Sequence, residues 1–284
     1  MKHIIILIAF NITSSVAYSQ WTTQFSGSSA ELRGVYFTNP QTGYIAGSDG
    51  TILKTIDGGT HWTTQTTPVN GFLSSVYFIN ADTGYAVGAG AGGLIIKTTN
   101  GGTNWVAQTY YTTNLLESIY FTNANTGYIV GQNGMILKTT NGGANWVAQA
   151  SGTTNGLRSV FFTDANTGYA VGNYGTIIKT VNAGVNWVVQ TSGIVRELFS
   201  VYYIRAGVGI NTGYTVGASG TIIKISIPTS YSWTPTNGLS AANIANPLAN
   251  PTVTTKYYIK ATTQNSCTSQ DSIVVKIKPL IAEA

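Results

Sequence analysis

Short runs of alternating apolar and polar residues recur along most of the chain, and Gly, Asn and Thr separate them. In the first unit these runs cover residues 32–38, 43–47, 51–55 and 62–65. Alternation with a period of two is typical of β-strands with one buried face, and Gly and Asn between the runs indicate tight turns. The pattern therefore predicts an all-β protein with four short strands in each unit.

The unit occurs five times, and each copy carries the tripeptide Thr-Gly-Tyr. The five tyrosines, about 41–45 residues apart, are Tyr44, Tyr85, Tyr128, Tyr169 and Tyr214. Four-stranded units of this length have the size of a β-propeller blade. We therefore predict a five-bladed β-propeller over residues 20–227. Its blades cover about 31–65, 72–108, 115–149, 156–190 and 197–227.

The fifth unit lacks a fourth strand, and the chain carries an isolated copy of one near its start. Residues 20–24, Gln-Trp-Thr-Thr-Gln, resemble residues 61–65, and Trp21 lies on the same period as Trp62. We expect residues 20–25 to pair with the strand around Ile223, so that the N-terminal strand closes the ring. The alternative is an open array of repeats, whose edge strands would stay exposed.

Composition indicates an extracellular β-protein. Charged residues make up only 8% of the chain and apolar residues 43%, whereas an average domain has roughly 25% charged residues. The formal charge is +5, and five lysines recur once per repeat: Lys54, Lys97, Lys138, Lys179 and Lys224. A nucleic-acid-binding protein gathers such charges on one face, so we expect no nucleic-acid partner.

Residues 1–19 are expected to be a secretory signal peptide. Lys2 precedes the apolar stretch Ile4–Phe10, and small residues stand before a cleavage point after Ser19. A membrane anchor is the alternative, but the stretch is far shorter than the roughly 20 residues that span a bilayer. We expect a secreted protein of the periplasm, the cell surface or the extracellular space, with no membrane span.

A turn motif, Thr-x-Asp/Asn-x-Gly-x-x-Trp, precedes the fourth strand of four units. It is similar to the Asp-box (BNR repeat) of sialidase-type propellers. In that reading the acidic or amide oxygens accept backbone N–H bonds and the tryptophans pack between blades. The structural residues of the motif, together with the tryptophan of the isolated strand, are Asp57, Asn100, Asn141, Asn182, Trp21, Trp62, Trp105, Trp146 and Trp187.

The whole repeat resembles photosystem II stability/assembly-factor-like propellers over roughly residues 21–227. The resemblance carries Val-x-Phe, Thr-Gly-Tyr-x-Val-Gly, Gly-x-Ile-x-Lys-Thr and Asn-Gly-Gly-x-x-Trp. It implies a non-enzymatic propeller that binds a partner polypeptide through basic residues on one face. The chain departs from that family by having five repeats where its members have seven.

Residues for catalysis are sparse. The arginines are Arg33, Arg158, Arg196 and Arg205, and none stands in the usual sialidase setting; the chain has nine acidic residues and two histidines. We therefore expect no catalytic residue, no metal and no cofactor. A carbohydrate-binding propeller and, less favoured, a sialidase-like glycoside hydrolase are the alternatives to a protein- or peptide-binding scaffold.

Residues that differ between repeats mark the candidate binding face, because packing alone would repeat them. Where the first strand of each unit begins, one column holds Arg33, Ser74, Glu117, Arg158 and Phe199. We expect a binding face opposite the Asp-box turns, centred on arginines that suit an acidic peptide. Its residues are Arg33, Arg158, Arg196, Glu117, Tyr174 and Phe199. The alternative is a pair of salt bridges at the ring seam, Glu31–Arg196 or Arg33–Glu197.

The tail, residues 228–284, leaves the repeat pattern. Tyr231-Ser232-Trp233-Thr234-Pro235 and Gly238-Leu239-Ser240 are similar to the PKD-like, immunoglobulin-like modules of secreted Bacteroidetes proteins. The similarity covers only the later part of such a module and implies a short, incomplete β-sandwich-like segment. The single Cys267 has no partner for an internal disulfide. Together these features predict a secreted scaffold that binds an extracellular or periplasmic protein or peptide.

Overall fold

The computed structural model describes residues 22–90, 92–108, 112–206, 210–226, 230–262 and 268–277. The predicted signal peptide, Trp21 and Cys267 lie outside these residues. The described residues form β-strands with turns and loops between them, which confirms the all-β prediction. The strands are β1 Leu32–Phe37, β2 Gly43–Gly47, β3 Ile52–Thr55, β4 Thr63–Gln65, β5 Phe72–Phe78, β6 Gly84–Ala89, β7 Gly93–Thr98, β8 Val106–Ala107, β9 Leu116–Phe121, β10 Gly127–Gly131, β11 Ile136–Thr139, β12 Val147–Gln149, β13 Leu157–Phe162, β14 Gly168–Gly172, β15 Ile177–Thr180, β16 Val188–Gln190, β17 Leu198–Ala206, β18 Ile210–Gly217, β19 Thr221–Ser226, β20 Ser230–Thr234, β21 Thr255–Thr262 and β22 Thr268–Val275. Across the described ranges no helix is long and apolar enough to cross a membrane.

Each repeat folds into its own antiparallel sheet, in which consecutive strands are neighbours. The first four sheets are β1–β4, β5–β8, β9–β12 and β13–β16, and the fifth, β17–β19, has three strands. The first strands of successive sheets pack side by side, from β1 through β5, β9 and β13 to β17. This row of first strands forms the inner side of the array, and the fourth strands lie on the outer side, as in a propeller.

Apolar side chains pack between successive sheets, and the second strands of the middle sheets are buried on both faces. At the first interface Tyr44 and Ile52 of one sheet pack against Leu73, Val76 and Phe78 of the next. The ring of Tyr44 stacks on that of Phe78 with centroids 3.8 Å apart. The same positions form the next three interfaces, so the hydrophobic core is a series of repeated inter-sheet layers.

The Asp-box turns are held by hydrogen bonds within each turn. In the third sheet Thr139 Oγ1 accepts from the Gly143 N–H at 2.9 Å, and Asn141 Oδ1 accepts from the Asn145 N–H at 3.0 Å. Gly143 has φ +73°, a conformation that favours glycine. Trp146 then inserts between the sheets and is buried. The turn thus positions the tryptophan that follows it to contact the neighbouring sheet.

The expected closure by the N-terminal strand is not observed. Residues 22–25 form no strand and are exposed, and β19 is an edge strand of a three-stranded sheet within the described residues. Phe25, the one large apolar residue among residues 22–25, is 88% exposed and does not anchor this segment against β19. Gln20 and Trp21, the rest of the expected strand, lie outside the described residues.

The interface between the fourth and fifth sheets lacks the buried tryptophan that fills the three before it. A cavity of about 150 Å³ lies there, lined by Tyr169, Val201, Tyr203 and Ile223 among others. A cavity of this size can hold an aromatic ring. The hydroxyls of Tyr169 and Thr215 are buried at this interface without a hydrogen-bond partner. The fifth repeat therefore packs less completely than the other four.

The tail forms a separate three-stranded antiparallel sheet, β20–β21–β22. Tyr257 is its buried centre, and its hydroxyl donates to the Asn237 carbonyl at 2.7 Å. The Trp233 indole N–H donates to the Ile244 carbonyl at 2.9 Å. These contacts hold the long connection between β20 and β21 against the sheet.

Candidate binding site

A β-bulge occurs near the start of the first strand in all five sheets, and its extra residue is the variable column of the sequence. In the fourth sheet Leu157 pairs with Gly172 and Ser159 with Val171, so Arg158 is the unpaired residue. The bulged residues of the five sheets are Arg33, Ser74, Glu117, Arg158 and Phe199. A bulge redirects the side chain of its extra residue out of the strand's regular alternation. The variable residues therefore differ because they are not part of the repeated core.

Glycine opposite the bulge makes this geometry possible. A Cβ atom built on Gly172 would lie 1.9 Å from the Gly156 carbonyl oxygen, which no side chain tolerates. Every repeat has Gly at the corresponding position, three residues after the Tyr of Thr-Gly-Tyr. The periodic glycine and the variable bulge residue are thus two parts of one local structure.

The turns between second and third strands lie beside the bulges. The Asn173 N–H donates to the Gly156 carbonyl at 2.8 Å, and the Gln132 N–H donates to the Leu115 carbonyl at 2.9 Å. The first and fifth sheets have the same bond, from Ser48 and Ala218. These bonds place the variable bulges and turns along the same edge of the sheets.

Arg158 links two neighbouring sheets on this edge. Its Nη1 donates to Glu117 Oε1 at 3.0 Å, and its Nε donates to Asn173 Oδ1 at 3.0 Å. Glu117 is largely buried and Arg158 is partly exposed. Nη2 makes no hydrogen bond to any residue the structure describes, so one edge of the guanidinium can bind an acceptor.

Two exposed aromatic residues lie on the elements that flank Arg158. Tyr174 follows Asn173 in a 3₁₀ turn, Asn173–Gly175, that contacts β17, the strand that begins with Leu198 and Phe199. Tyr174 has φ +55° and is 69% exposed, and Phe199 is also exposed. The corresponding turn residues in other sheets are the short polar Asp49, Asn133 and Ser219. We call Glu117, Arg158, Asn173, Tyr174 and Phe199 the three-sheet cluster.

Arg33 and Arg196 do not join this cluster through any described contact. Arg33 donates from Nε and Nη2 to Glu31 Oε1, both at 3.0 Å, and its guanidinium lies 4.3 Å from the centroid of the Phe72 ring. Arg196 is exposed beside a shallow depression formed by residues 191–195. The structure therefore pairs Arg158 with Glu117, places Tyr174 and Phe199 on adjoining elements, and leaves two of the three predicted arginines elsewhere.

The seam pairs Glu31–Arg196 and Arg33–Glu197, considered from the sequence, are not among the ion pairs of the described residues. Those ion pairs are Arg33–Glu31, Arg158–Glu117 and His61–Asp57. Arg33 and Glu31 are only two residues apart, so their side chains meet locally. Each of these arginines is neutralised by a glutamate, so the face is mixed in charge rather than basic.

Sequence reasoning missed Asn173 and Phe72. Asn173 stands in a turn where small polar residues recur, so nothing in the sequence indicated that it pairs with Arg158. The hydrogen bond between the two side chains is seen only in the structure. Phe72 begins β5 and lies under Arg33. The signal for both was that they differ from their counterparts in other repeats. The described residues include no group of three or more His, Cys, Asp or Glu side chains able to hold a metal.

Asp57 is the only acidic residue among the four Asp-box turns, and it stabilises its turn as an anion. The backbone N–H of His61, the His61 ring and the Thr55 hydroxyl lower the pKa of Asp57 to about 2. The His61 Nδ1 lies 2.7 Å from Asp57 Oδ2. These partners lie within one turn, so this charge has a local structural role.

A protein-family model matches the repeats. The model described as photosynthesis system II assembly factor YCF48 matches residues 13–110, 63–155 and 107–188, which together cover more than half of the chain. No curated protein sequence matches the chain.

Solved structures show the same fold at low sequence identity. "YCF48 bound to D1 peptide" is 18% identical with a TM-score of 0.58, covering 89% of this chain and 85% of that one. YCF48 from Cyanidioschyzon merolae is 18% identical with a TM-score of 0.50, covering 85% of each chain. An ancestral GH74 enzyme is 17% identical with a TM-score of 0.55, covering 92% of this chain and 40% of that one. At these identities the likeness establishes the propeller-type fold.

Proposed function

Because this chain belongs to the family of the photosynthesis system II assembly factor YCF48, we propose that it is a non-catalytic, peptide-binding propeller that acts as a scaffold after export. The three-sheet cluster is its peptide site. A YCF48 structure is described as bound to D1 peptide, which supports a peptide as the ligand class. The expected signal peptide supports action in the periplasm, at the cell surface or outside the cell.

The observation that carries this proposal is the backbone of Tyr174. A bulky residue at positive φ is strained by roughly 1–2 kcal/mol, whereas Asn and Asp adopt this conformation readily. Tyr174 holds this conformation while its ring is exposed, so packing does not explain the choice of residue. Strained backbone of this kind clusters at ligand-binding and other functional sites.

The surroundings of Tyr174 suit a peptide segment. The exposed rings of Tyr174 and Phe199 provide apolar contact, and Tyr is strongly enriched at protein interfaces. The Nη2 edge of Arg158 can donate to a main-chain carbonyl or a carboxylate of the ligand. The Glu117 and Asn173 contacts hold the guanidinium in place before binding, which lowers the entropy cost of association.

The cluster is poorly suited to glycoside hydrolysis. That reaction uses two carboxyl groups on either side of the scissile bond. Glu117 is the one carboxylate of the cluster, and it is tied to Arg158. We therefore favour binding over hydrolysis, and fluorogenic glycosides provide a direct check on the choice.

The test begins with selection of binders to the mature protein from a displayed random-peptide library. Affinity for a fluorescently labelled selected peptide is then measured by anisotropy. We expect Tyr174→Asn to weaken binding by about tenfold or more, since interface aromatic residues often contribute over 1 kcal/mol. The same substitution relieves strain, so the folded state should be as stable or more stable.

Val189→Thr, on an exposed outer strand, is the matched control and should bind as the unmodified protein does. Equal affinity for the Tyr174→Asn protein would show that the three-sheet cluster is not the peptide site. N-terminal sequencing of exported protein tests localisation, and we expect Gln20 as the first residue.

A further inference from the structure

The first sheet of the array exposes apolar residues that are buried at the same position in every later sheet. Leu32, Val35 and Phe37 of β1 are exposed, and Val35 is 65% exposed. The residues corresponding to Val35 are at most 7% exposed, and they are Val76, Ile119, Val160 and Val201. We call Leu32, Val35 and Phe37 the leading face.

The fifth sheet has the same feature on its opposite side. Val216 and Ile222 are exposed, and Ile222 is 71% exposed. The residues corresponding to Ile222 in the first three sheets are buried, and they are Ile52, Ile95 and Ile136. We call Ser200, Tyr202, Val216 and Ile222 the trailing face.

Faces of these two kinds pack against each other at every interface within the chain. At the first interface Ala46 and Ile52, on the trailing side of one sheet, pack against Val76 and Phe78 on the leading side of the next. The next three interfaces repeat this arrangement. Among the described residues no core cluster joins the fifth sheet to the first, so one face of each kind stays uncovered.

Polar groups at the two faces are also complementary. Inside the chain, Ser159 Oγ accepts from the Val201 N–H of the next sheet at 3.2 Å. Tyr77 Oη donates to the Phe121 carbonyl of the next sheet at 3.0 Å. Ser200 and Tyr202 hold these two positions on the trailing face, and both are exposed. Their counterparts on the leading face are the Val35 N–H and the Phe37 carbonyl.

We propose that a second copy of this chain docks its leading face onto this trailing face, so that copies associate head to tail. Val35 and Phe37 of one copy pack against Val216 and Ile222 of the other. Ser200 Oγ accepts from the Val35 N–H, and Tyr202 Oη donates to the Phe37 carbonyl. Such a heterologous interface produces a closed ring or a growing chain of copies, according to the rotation between them.

The occupant is a second copy because the chain itself contains this interface four times. Repeat arrays usually cover their ends with a polar capping unit, whereas both end faces here expose large apolar residues. Large uncovered apolar faces are rare on monomeric proteins and mark interaction sites. A partner with the same repeat provides both the apolar and the hydrogen-bonding complement.

The experiment is sedimentation velocity over a concentration series of the mature, full-length protein. We expect concentration-dependent association of the unmodified chain. Val35→Glu places a charge on the leading face, and Ile222→Glu places one on the trailing face. Each substitution should weaken self-association by about a hundredfold or more, because the charge would be buried without a partner. Val189→Glu, exposed on an outer strand away from both faces, is the matched control and should associate as the unmodified chain does.

Mixing the two variants is the decisive step. The Val35→Glu chain keeps an intact trailing face and the Ile222→Glu chain keeps an intact leading face. Their equimolar mixture should therefore form a heterodimer with unmodified affinity, although neither variant associates alone. Tyr202→Phe, which keeps the ring, should weaken association about fivefold through the loss of one hydrogen bond.

Two results would overturn the proposal. One is an unmodified chain that stays monomeric at all concentrations while Val35→Glu lowers its unfolding midpoint, because the two faces would then meet within one molecule. The other is a mixture of variants that fails to associate, because the interface would then not be head to tail. Circular dichroism of each variant confirms that folding is retained, as expected for positions exposed in the single chain.

Discussion

The tyrosines of the Thr-Gly-Tyr repeats differ in whether the hydroxyl has a hydrogen-bond partner. A Tyr→Phe substitution removes this hydroxyl, so its effect can be compared between the two environments. The hydroxyls of Tyr44, Tyr85 and Tyr128 donate to a carbonyl in the Asp-box turn of the next sheet. Tyr169 is equally buried, but the fifth sheet provides no such turn among the described residues, so its hydroxyl lies by that of Tyr203 and makes no hydrogen bond within 3.5 Å. We therefore expect Tyr→Phe to have opposite effects on stability at Tyr128 and Tyr169.

The magnitudes follow from the hydrogen bonds that remain. Tyr128 Oη donates to the Ala183 carbonyl at 2.8 Å, and Lys138 Nζ donates to the same oxygen at 2.7 Å. Tyr128→Phe leaves that carbonyl paired, so the loss should be that of one ordinary hydrogen bond, about 1 kcal/mol. Tyr169→Phe removes a buried donor that makes no hydrogen bond to a described residue, so the free energy of unfolding should rise by about 1 kcal/mol.

The assay is urea unfolding of the unmodified chain and the two variants, followed by circular dichroism. The free energies of unfolding should differ by about 2 kcal/mol between the variants, with equal dependence on urea. Tyr85→Phe should resemble Tyr128→Phe and is the matched control. If Tyr169→Phe is as destabilising as Tyr128→Phe, the Tyr169 hydroxyl has a partner in solution and the reasoning fails.

Three further predictions concern other parts of the fold. Thr139→Val should lower the free energy of unfolding by about 1–3 kcal/mol in urea, because it leaves the Gly143 and Asn141 N–H groups without their acceptor; an unchanged midpoint would contradict this. Asp57→Asn should fold, since the other three turns carry Asn, but it should change how the free energy of unfolding depends on pH under acidic conditions. The folded-state pKa of Asp57 is about 2, below its ordinary 3.8, so its contribution is present above that ordinary value and is lost as the pH falls toward 2; identical pH profiles of midpoint for both proteins would refute this. Gly172→Ala should prevent folding of the fourth sheet or displace its bulge, because the added Cβ would overlap the Gly156 carbonyl; a native circular dichroism spectrum and an unchanged midpoint would rule this out.

Much of the architecture was accessible from the sequence because the interactions that determine it are local and repeated. Period-two alternation identified the strands, and the spacing of Thr-Gly-Tyr identified the sheets. The variable column from Arg33 to Phe199 was also visible, since a residue that escapes a strict repeat has no place in the repeated core. The sequence therefore identified the edge of the sheets that carries the candidate site.

The composition of the site depended on tertiary structure. Three arginines were expected to meet, yet Arg33 pairs with Glu31 two residues away, and Arg158 pairs with Glu117 on the neighbouring sheet. Which glutamate forms an ion pair with a given arginine depends on the distances between sheets. The spacing of the repeats in the sequence does not specify these distances. The strained backbone of Tyr174 is likewise a property of the folded turn.

The two ends of the array show most clearly which features the sequence determined and which depended on tertiary structure. The sequence by itself determined the strands, the turns and the faces that successive sheets present to each other, because each depends on residues within one repeat or its neighbour. Whether the first sheet meets the last depends on the rotation accumulated over all the interfaces between them. Small differences at each interface add up along the array, so only the tertiary structure decided that Val35 and Ile222 remain exposed.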